Sequence, residues 1–212
     1  MTGIIGKKIG MTTIYDEQDR SVPCTLVEIN ACSITQLKTV DTDGYMAVQL
    51  GFGDKKEKHT TNPLMGHFKK ANLTPKRKLF EFRYSEQDLK EGKEFTLGQE
   101  VFFSDIFSEN DFVDVTSISK GKGHGGVMKR HGFSGVGGRS HGQHNRERAA
   151  GSIGASSFPS RVFKGMRMAG RTGGQKVKIK NLRVVRVLAE HRIVVLSGSL
   201  PGANGAYVVI TK

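Results

Sequence analysis

Short apolar-rich runs mark both flanks of the chain as β, and "VKIKNLRVVRVL" near its end alternates at its start as a half-buried strand does. Gly3–Ile9 and Val22–Ile29 read as strands. Ile34–Thr39 and Tyr45–Phe52 read as a hairpin across "DTDG", whose Asp43-Gly44 pair suits a tight turn. Phe95–Phe103 and Phe112–Ile118 follow as strands. The last three are Lys178–Leu188, Arg192–Ser197 and Ala206–Thr211, with "AEHR" and "PGANG" as hairpin turns between them. Many short strands at this spacing predict a closed barrel rather than an open sheet. One helix interrupts the pattern. Asn62 is placed to cap it, Pro63 suits the first helical position, and "PLMGHFKKANL" runs on to Pro75. "LFEFRYSEQDLKEGKEF" continues as a strand and a short turn of helix, so 63–94 reads as a small α+β insertion.

Between Ser119 and Lys176 neither period holds. The stretch "GVMKRHGFSGVGGRSHGQHNRER", residues 126–148, has five Arg/Lys, three His and one acid. The predicted fold is therefore mainly β: a β-barrel body with a small α+β insertion and a long internal, largely irregular basic extension. The barrel takes residues 1–62, 95–118 and 177–212, the insertion 63–94 and the extension 119–176.

Charge sharpens this division. The chain has 33 Lys+Arg against 20 Asp+Glu, a formal net charge of +13. Residues 119–180 hold 14 of those bases and one acid, Glu147, so this window alone carries +13 and the remainder is neutral. So strong a local charge calls for a polyanionic partner. Its apolar residues, among them Met128, Phe133, Ile153, Phe158, Phe163, Met166 and Met168, are too scattered to bury a core of their own. RNA supplies what is missing: phosphates for Arg and Lys, and base faces for Phe and His. A disordered, non-specific basic tail would be terminal and rich in Lys alone, whereas this segment is internal and mixed. Leaving and re-entering the body as a double strand, it would span up to roughly 80 to 100 Å at ~3.3 Å per residue.

Other chemistries fit poorly. The run "RIVVLSGSL" is far short of a membrane span, and no basic amphipathic helix is evident for a membrane surface. "MTGIIGKKIGM" lacks the apolar core and cleavage site of a signal peptide, so a cytoplasmic, untargeted chain is expected. Cys24 and Cys32 read as reduced thiols buried in strands. Gly121–Gly126 satisfies G-x-G-x-x-G, but "VMKRHGFSG" after it breaks at once with glycine where a helix is needed, and no acid appears before Glu147. His124, His131, His141 and His144 lack the cysteines or carboxylates of a zinc set. No metal, cofactor or small-molecule substrate is expected. A nucleic-acid-processing enzyme with a basic substrate clamp is the alternative. It would need clustered carboxylates, and those of the body are dispersed.

Several motifs together resemble a known family. "GIIGKKIGMT" at the start, "GHFKKA" at Gly66–Ala71, "DVTSISKGKGHGGVMKRHGF" at Asp114–Phe133, "GSIG" at Gly151–Gly154, "RVFKGMRMAGR" at Arg161–Arg171 and "LPGANG" near the end resemble large-subunit ribosomal protein three of bacterial type. The match runs in order over essentially the whole chain. It implies a non-enzymatic structural constituent of the large ribosomal subunit, in the cytoplasm, that binds the subunit's rRNA near its 3′ end and acts early in assembly. It implies a β-barrel body, an extension directed toward the peptidyl transferase centre, and contacts with the ribosomal proteins numbered fourteen and nineteen. By the same resemblance Lys120, Lys122, Lys129 and Arg130 grip rRNA at the base of the extension. His131, Arg139, His141, His144, Arg146 and Arg148 are further contacts, and Arg161, Lys164, Arg167 and Arg171 line the returning strand. The part nearest the catalytic RNA spans His141–Ser157, with Gly151, Ser152, Ile153, Gly154, Ala155, Ser156 and Ser157 at the tip. Two departures stand out. Ser157 occupies the place of a glutamine that many relatives methylate, so no such modification is expected. His131 stands where relatives often carry Trp.

Overall fold

In the computed structural model, which describes residues 3–16, 18–84, 95–138 and 141–212, six strands close a barrel. They are β1 (Gly3–Tyr15), β2 (Ser21–Glu28), β7 (Phe112–Ile118), β10 (Lys176–Leu188), β11 (Ile193–Ser197) and β12 (Tyr207–Thr211). Round the barrel the order is β1-β12-β7-β10-β11-β2, and every neighbouring pair is antiparallel. Closure removes the exposed sheet edges that invite aggregation. Apolar side chains of its strands form a buried core: Ile4, Val27, Val115, Val184, Leu196, Val208 and Ile210 are all at 0% exposure. In β10 the register shifts between Ile179 and Leu182. There Asn181 takes a positive φ of 57° and its amide donates to the Asp114 carboxylate at 3.0 Å.

A second sheet has the order β5-β4-β3-β6, from β3 (Cys32–Lys38), β4 (Ala47–Asp54), β5 (Lys76–Arg83) and β6 (Glu100–Val101). This corrects the sequence reading, which put 32–54 in the barrel. Alternation identifies a strand and its partner hairpin but does not say which sheet the hairpin joins. The expected DTDG tight turn is a short helix, α1 (Val40–Asp43), closed by Gly44 at φ 77°. Helix α2 (Asn62–Lys70) forms where expected, but Thr61 rather than Asn62 holds the N-cap position and makes no side-chain cap bond.

Two further expectations fail for physical reasons. Phe95–Phe103 is not one strand. Gly98 turns at φ +84°, and Asp105 accepts the Phe102 amide at 2.8 Å, fixing a 3₁₀ turn at Phe103–Asp105. "PGANG" is not a hairpin, because β11 and β12 are not neighbours; β12 inserts between β1 and β7. The crossing loop is held by Lys8, which is 6% exposed and whose ammonium donates to the Leu200 and Gly202 carbonyls at 2.8 and 3.4 Å. Such buried charge-assisted bonds are among the stronger hydrogen bonds. The short turn of helix expected before Phe95 falls largely in 85–94, outside the described residues.

Cys24 and Cys32 are both free and buried. Burial raises both thiols, Cys32 to about 11. Thiolate, the reactive form, is therefore suppressed in the folded chain. Neither cysteine is expected to label with a disulfide reagent at pH 8 before unfolding, and both should label in denaturant. Native labelling of either would contradict its placement.

The chain divides into two compact units, Met1–Ile118 with Lys176–Lys212, and Ser119–Gln175. The residues at which the first unit is interrupted, Ile118 and Lys176, are paired partners on β7 and β10.

Candidate nucleic-acid interface

The second unit begins as a narrow double strand. The Ser119 amide donates to Gln175 O at 2.9 Å, Lys122 to Thr172 O at 2.9 Å, and Thr172 to Gly123 O at 2.8 Å. A two-stranded ribbon, β8 (His124–Gly125) with β9 (Gly170–Arg171), extends the pairing. Helix α3 (Val127–His131) follows and stops at Gly132, φ 73°. The base of the basic segment is thus more regular than its sequence suggests. A two-residue strand and a five-residue helix are too short to show a hydrophobic period. The available signal was the stop pattern: Lys129-Arg130-His131 in the last turn, then glycine.

Gly173 is required at this base. Its φ is +71°, and a Cβ there would collide with the Lys120 carbonyl oxygen. Gly173→Ala is expected to cost about 1–2 kcal/mol for the left-handed backbone alone, with the steric clash in addition. Hydrogen exchange should show the Lys122 and Thr172 amides losing protection while barrel amides keep theirs. Unchanged protection at both would show that the pairing does not depend on Gly173.

Two predicted RNA contacts have an internal role. The Arg130 guanidinium donates to Met168 O at 2.8 Å, and His131 Nε2 lies 3.0 Å from the same carbonyl, as a donor in the Nε2–H tautomer. Arg130 also packs against Gly170, where a Cβ would come within 2.7 Å of Nη1. Both side chains tie the outgoing helix to the returning chain, and both are half-buried. His131 additionally sits 6.1 Å, ring to ring, from Phe133.

The other predicted contacts face solvent. Lys120, Lys122, Lys129, His141, His144, Arg146, Arg148, Arg161, Lys164, Arg167 and Arg171 are exposed, as is every residue from Gly151 to Ser157. Arg139, with Ser140, lies outside the described residues. Lys178, beyond the end of the second unit, pairs with Asp114 at 2.8 Å. That pairing, with the Asn181 amide bond, holds the Asp114 carboxyl below its ordinary range. With one acid in the whole window, most of the exposed cations keep their charge available to a partner. Large apolar side chains accompany them: Phe158 is 88% exposed and Phe163 54%, and the Arg161 guanidinium stacks 5.1 Å over the Phe163 ring. Solvent is a poor environment for such rings, whereas nucleobases offer flat faces to stack on them. Among the described residues no group of three or more His, Cys, Asp or Glu could hold a metal ion, and no helix is long and apolar enough to cross a membrane.

Comparison of the sequence with known proteins gives the family. The model of the family described as ribosomal protein L3 matches residues 72–199. The large ribosomal subunit protein uL3 of Salinibacter ruber is 52% identical over 211 residues, covering 100% of this chain and 99% of that protein. On that match, which runs along nearly the whole of both chains, the chain belongs to the ribosomal protein L3 family.

Proposed function

We propose that the chain is a structural constituent of the large ribosomal subunit that anchors to the subunit's rRNA through its inserted basic unit. The carrying observation is the run of exposed cations in a segment that leaves and re-enters a closed barrel at the paired residues Ile118 and Lys176. Lys120, Lys122, Lys129, Arg146, Arg148, Arg161, Lys164, Arg167 and Arg171 neutralise phosphates, and Phe158, Phe163, His141 and His144 present rings to unstacked bases. Arg130 and His131 act first as positioning residues, because their nitrogen atoms are engaged by Met168 O. In the fuller reading, the body sits near the rRNA's 3′ end and contacts the ribosomal proteins numbered fourteen and nineteen. Gly151–Ser157 approaches the peptidyl transferase centre, and the protein acts early in assembly. The chemistry of peptide-bond formation stays with the RNA, and the chain has no catalytic step.

The test is the salt dependence of binding to large-subunit rRNA. With ~8 phosphates contacted, log affinity should fall against log salt with a slope of roughly −6 to −7. A slope near zero would overturn the reading. Incubating the chain with that RNA and a divalent metal distinguishes the enzyme alternative: strand cleavage lost on mutating a body carboxylate would favour it.

A further inference from the structure

We propose that the loop end of the second sheet, around Lys55, Lys56, His59 and Arg77, is a second polyanion site that takes an RNA phosphate backbone. The proposal rests on the reading of the chain as an RNA binder and adds a site outside the basic window. The neutrality of the body as a whole conceals an uneven distribution. Residues 54–78 hold eight Lys/Arg against two acids, Asp54 and Glu57, for a net +6.

The fold brings part of that charge together. Strand β4 ends at Asp54, paired with Lys76 at the start of β5. The Lys55 amide donates to Pro75 O at 2.8 Å, tying the turn to the adjacent strand. Lys55, Lys56, His59 and Arg77 then line one open recess of about 380 Å³, and no carboxylate lines it. Asp54 is already engaged: it accepts from Lys76 at 2.8 Å and from Thr74 at 3.1 Å, which holds its carboxyl low. Arg77 is oriented by a neutral acceptor, its Nε donating to Asp54 O at 3.0 Å. Among the described residues neither it nor Lys55 nor Lys56 has an ion pair. Glu57 is exposed but does not line the recess.

The lining selects the ligand class. It offers point charges and a guanidinium fork, which suit phosphate oxygens. It has no Phe, Tyr, Asn or Gln to read a base, so it would position a backbone rather than specify a sequence. An open recess does not enclose a single small anion, whereas a polyanion laid across it reaches several cations together.

The experiment compares two variants of the full chain on in-vitro transcribed large-subunit rRNA over a salt series. One is Lys55→Gln/Lys56→Gln/Arg77→Gln, the other Lys120→Gln/Lys122→Gln/Lys129→Gln. Each lost phosphate contact removes about 0.7–0.9 from the slope. The first variant should lower it by about 2, additively with the second. Hydroxyl-radical footprints should show a different RNA stretch uncovered by each. An unchanged slope for the first variant with a reduced slope for the second overturns this site and leaves the RNA reading standing; no reduction in either overturns the RNA reading itself. Binding of a polyglutamate peptide that the first variant loses, with its RNA slope intact, would assign the recess to an acidic protein and also overturn the proposal. Lys55→Gln/Lys56→Gln retains the Arg77–Asp54 bond and serves if the triple variant does not fold.

Discussion

Replacing residues 126–169 by a two-residue Asn-Gly turn is expected to leave the barrel folded and to abolish maturation of the large subunit. The design follows the pairing of Gly125 with Gly170 across β8 and β9, which a two-residue loop can join. The buried core should survive because its members, from Ile4 and Ile5 to Val208 and Ile210, come from the first unit. Eight bases leave with the segment: Lys129, Arg130, Arg139, Arg146, Arg148, Arg161, Lys164 and Arg167. If all eight meet phosphates, the salt slope of rRNA binding falls by about 6 to 7. Circular dichroism and thermal unfolding should report a body close to the full chain, while sucrose gradients of cells relying on the variant should accumulate large-subunit precursors. An unfolded body would refute the independence of the first unit, and normal subunits would refute the role given to the segment.

The sequence made the barrel legible because one face of each strand meets the core. Val113, Val115 and Ser117 of β7, and Val208 and Ile210 of β12, keep the period-two pattern that burial on one side imposes. What it hid were decisions made between distant segments. Whether β3 and β4 join the barrel or a second sheet depends on β5 and β6. Whether "PGANG" turns back on β11 or crosses over depends on the gap between β1 and β7. Within the basic unit, charge identified the site but not the work of each base. Arg130 and Lys129 are adjacent in sequence and look equivalent there. Lys129 faces solvent, and Arg130 donates to Met168 O across 38 residues. The bases of 54–78 are hidden for a related reason: a net charge summed over the body cancels them against acids elsewhere in the chain.

Ile210→Ala is expected to remove a large share of the barrel's stability. Ile210 is at 0% exposure, in the strand that closes the barrel between Ile4 of β1 and Val115 of β7. Neighbours fixed in a closed ladder relax little into the space left behind, so the cost should lie within about 2–5 kcal/mol. Total stability of a domain is only about 5–15 kcal/mol. For a chain of this length each kcal/mol moves Tm by about 2–4 °C, so a loss near 3 kcal/mol is expected to lower Tm by about 6–12 °C. Ile153→Ala removes the same atoms from a side chain 42% exposed in the basic unit, and should leave Tm nearly unchanged. RNA binding separates the two further. Ile210→Ala should bind normally well below its melting temperature and fail as it unfolds. The reason is that β12 pairs with β7 and β7 with β10, and the paired residues Ile118 and Lys176 hold the two ends of the basic unit side by side. In an unfolded barrel those ends separate, and binding RNA must then meet the entropic cost of bringing them back together. Equal Tm shifts for the two variants, or RNA binding that persists through unfolding of the barrel, would show that the body does not serve to hold those ends.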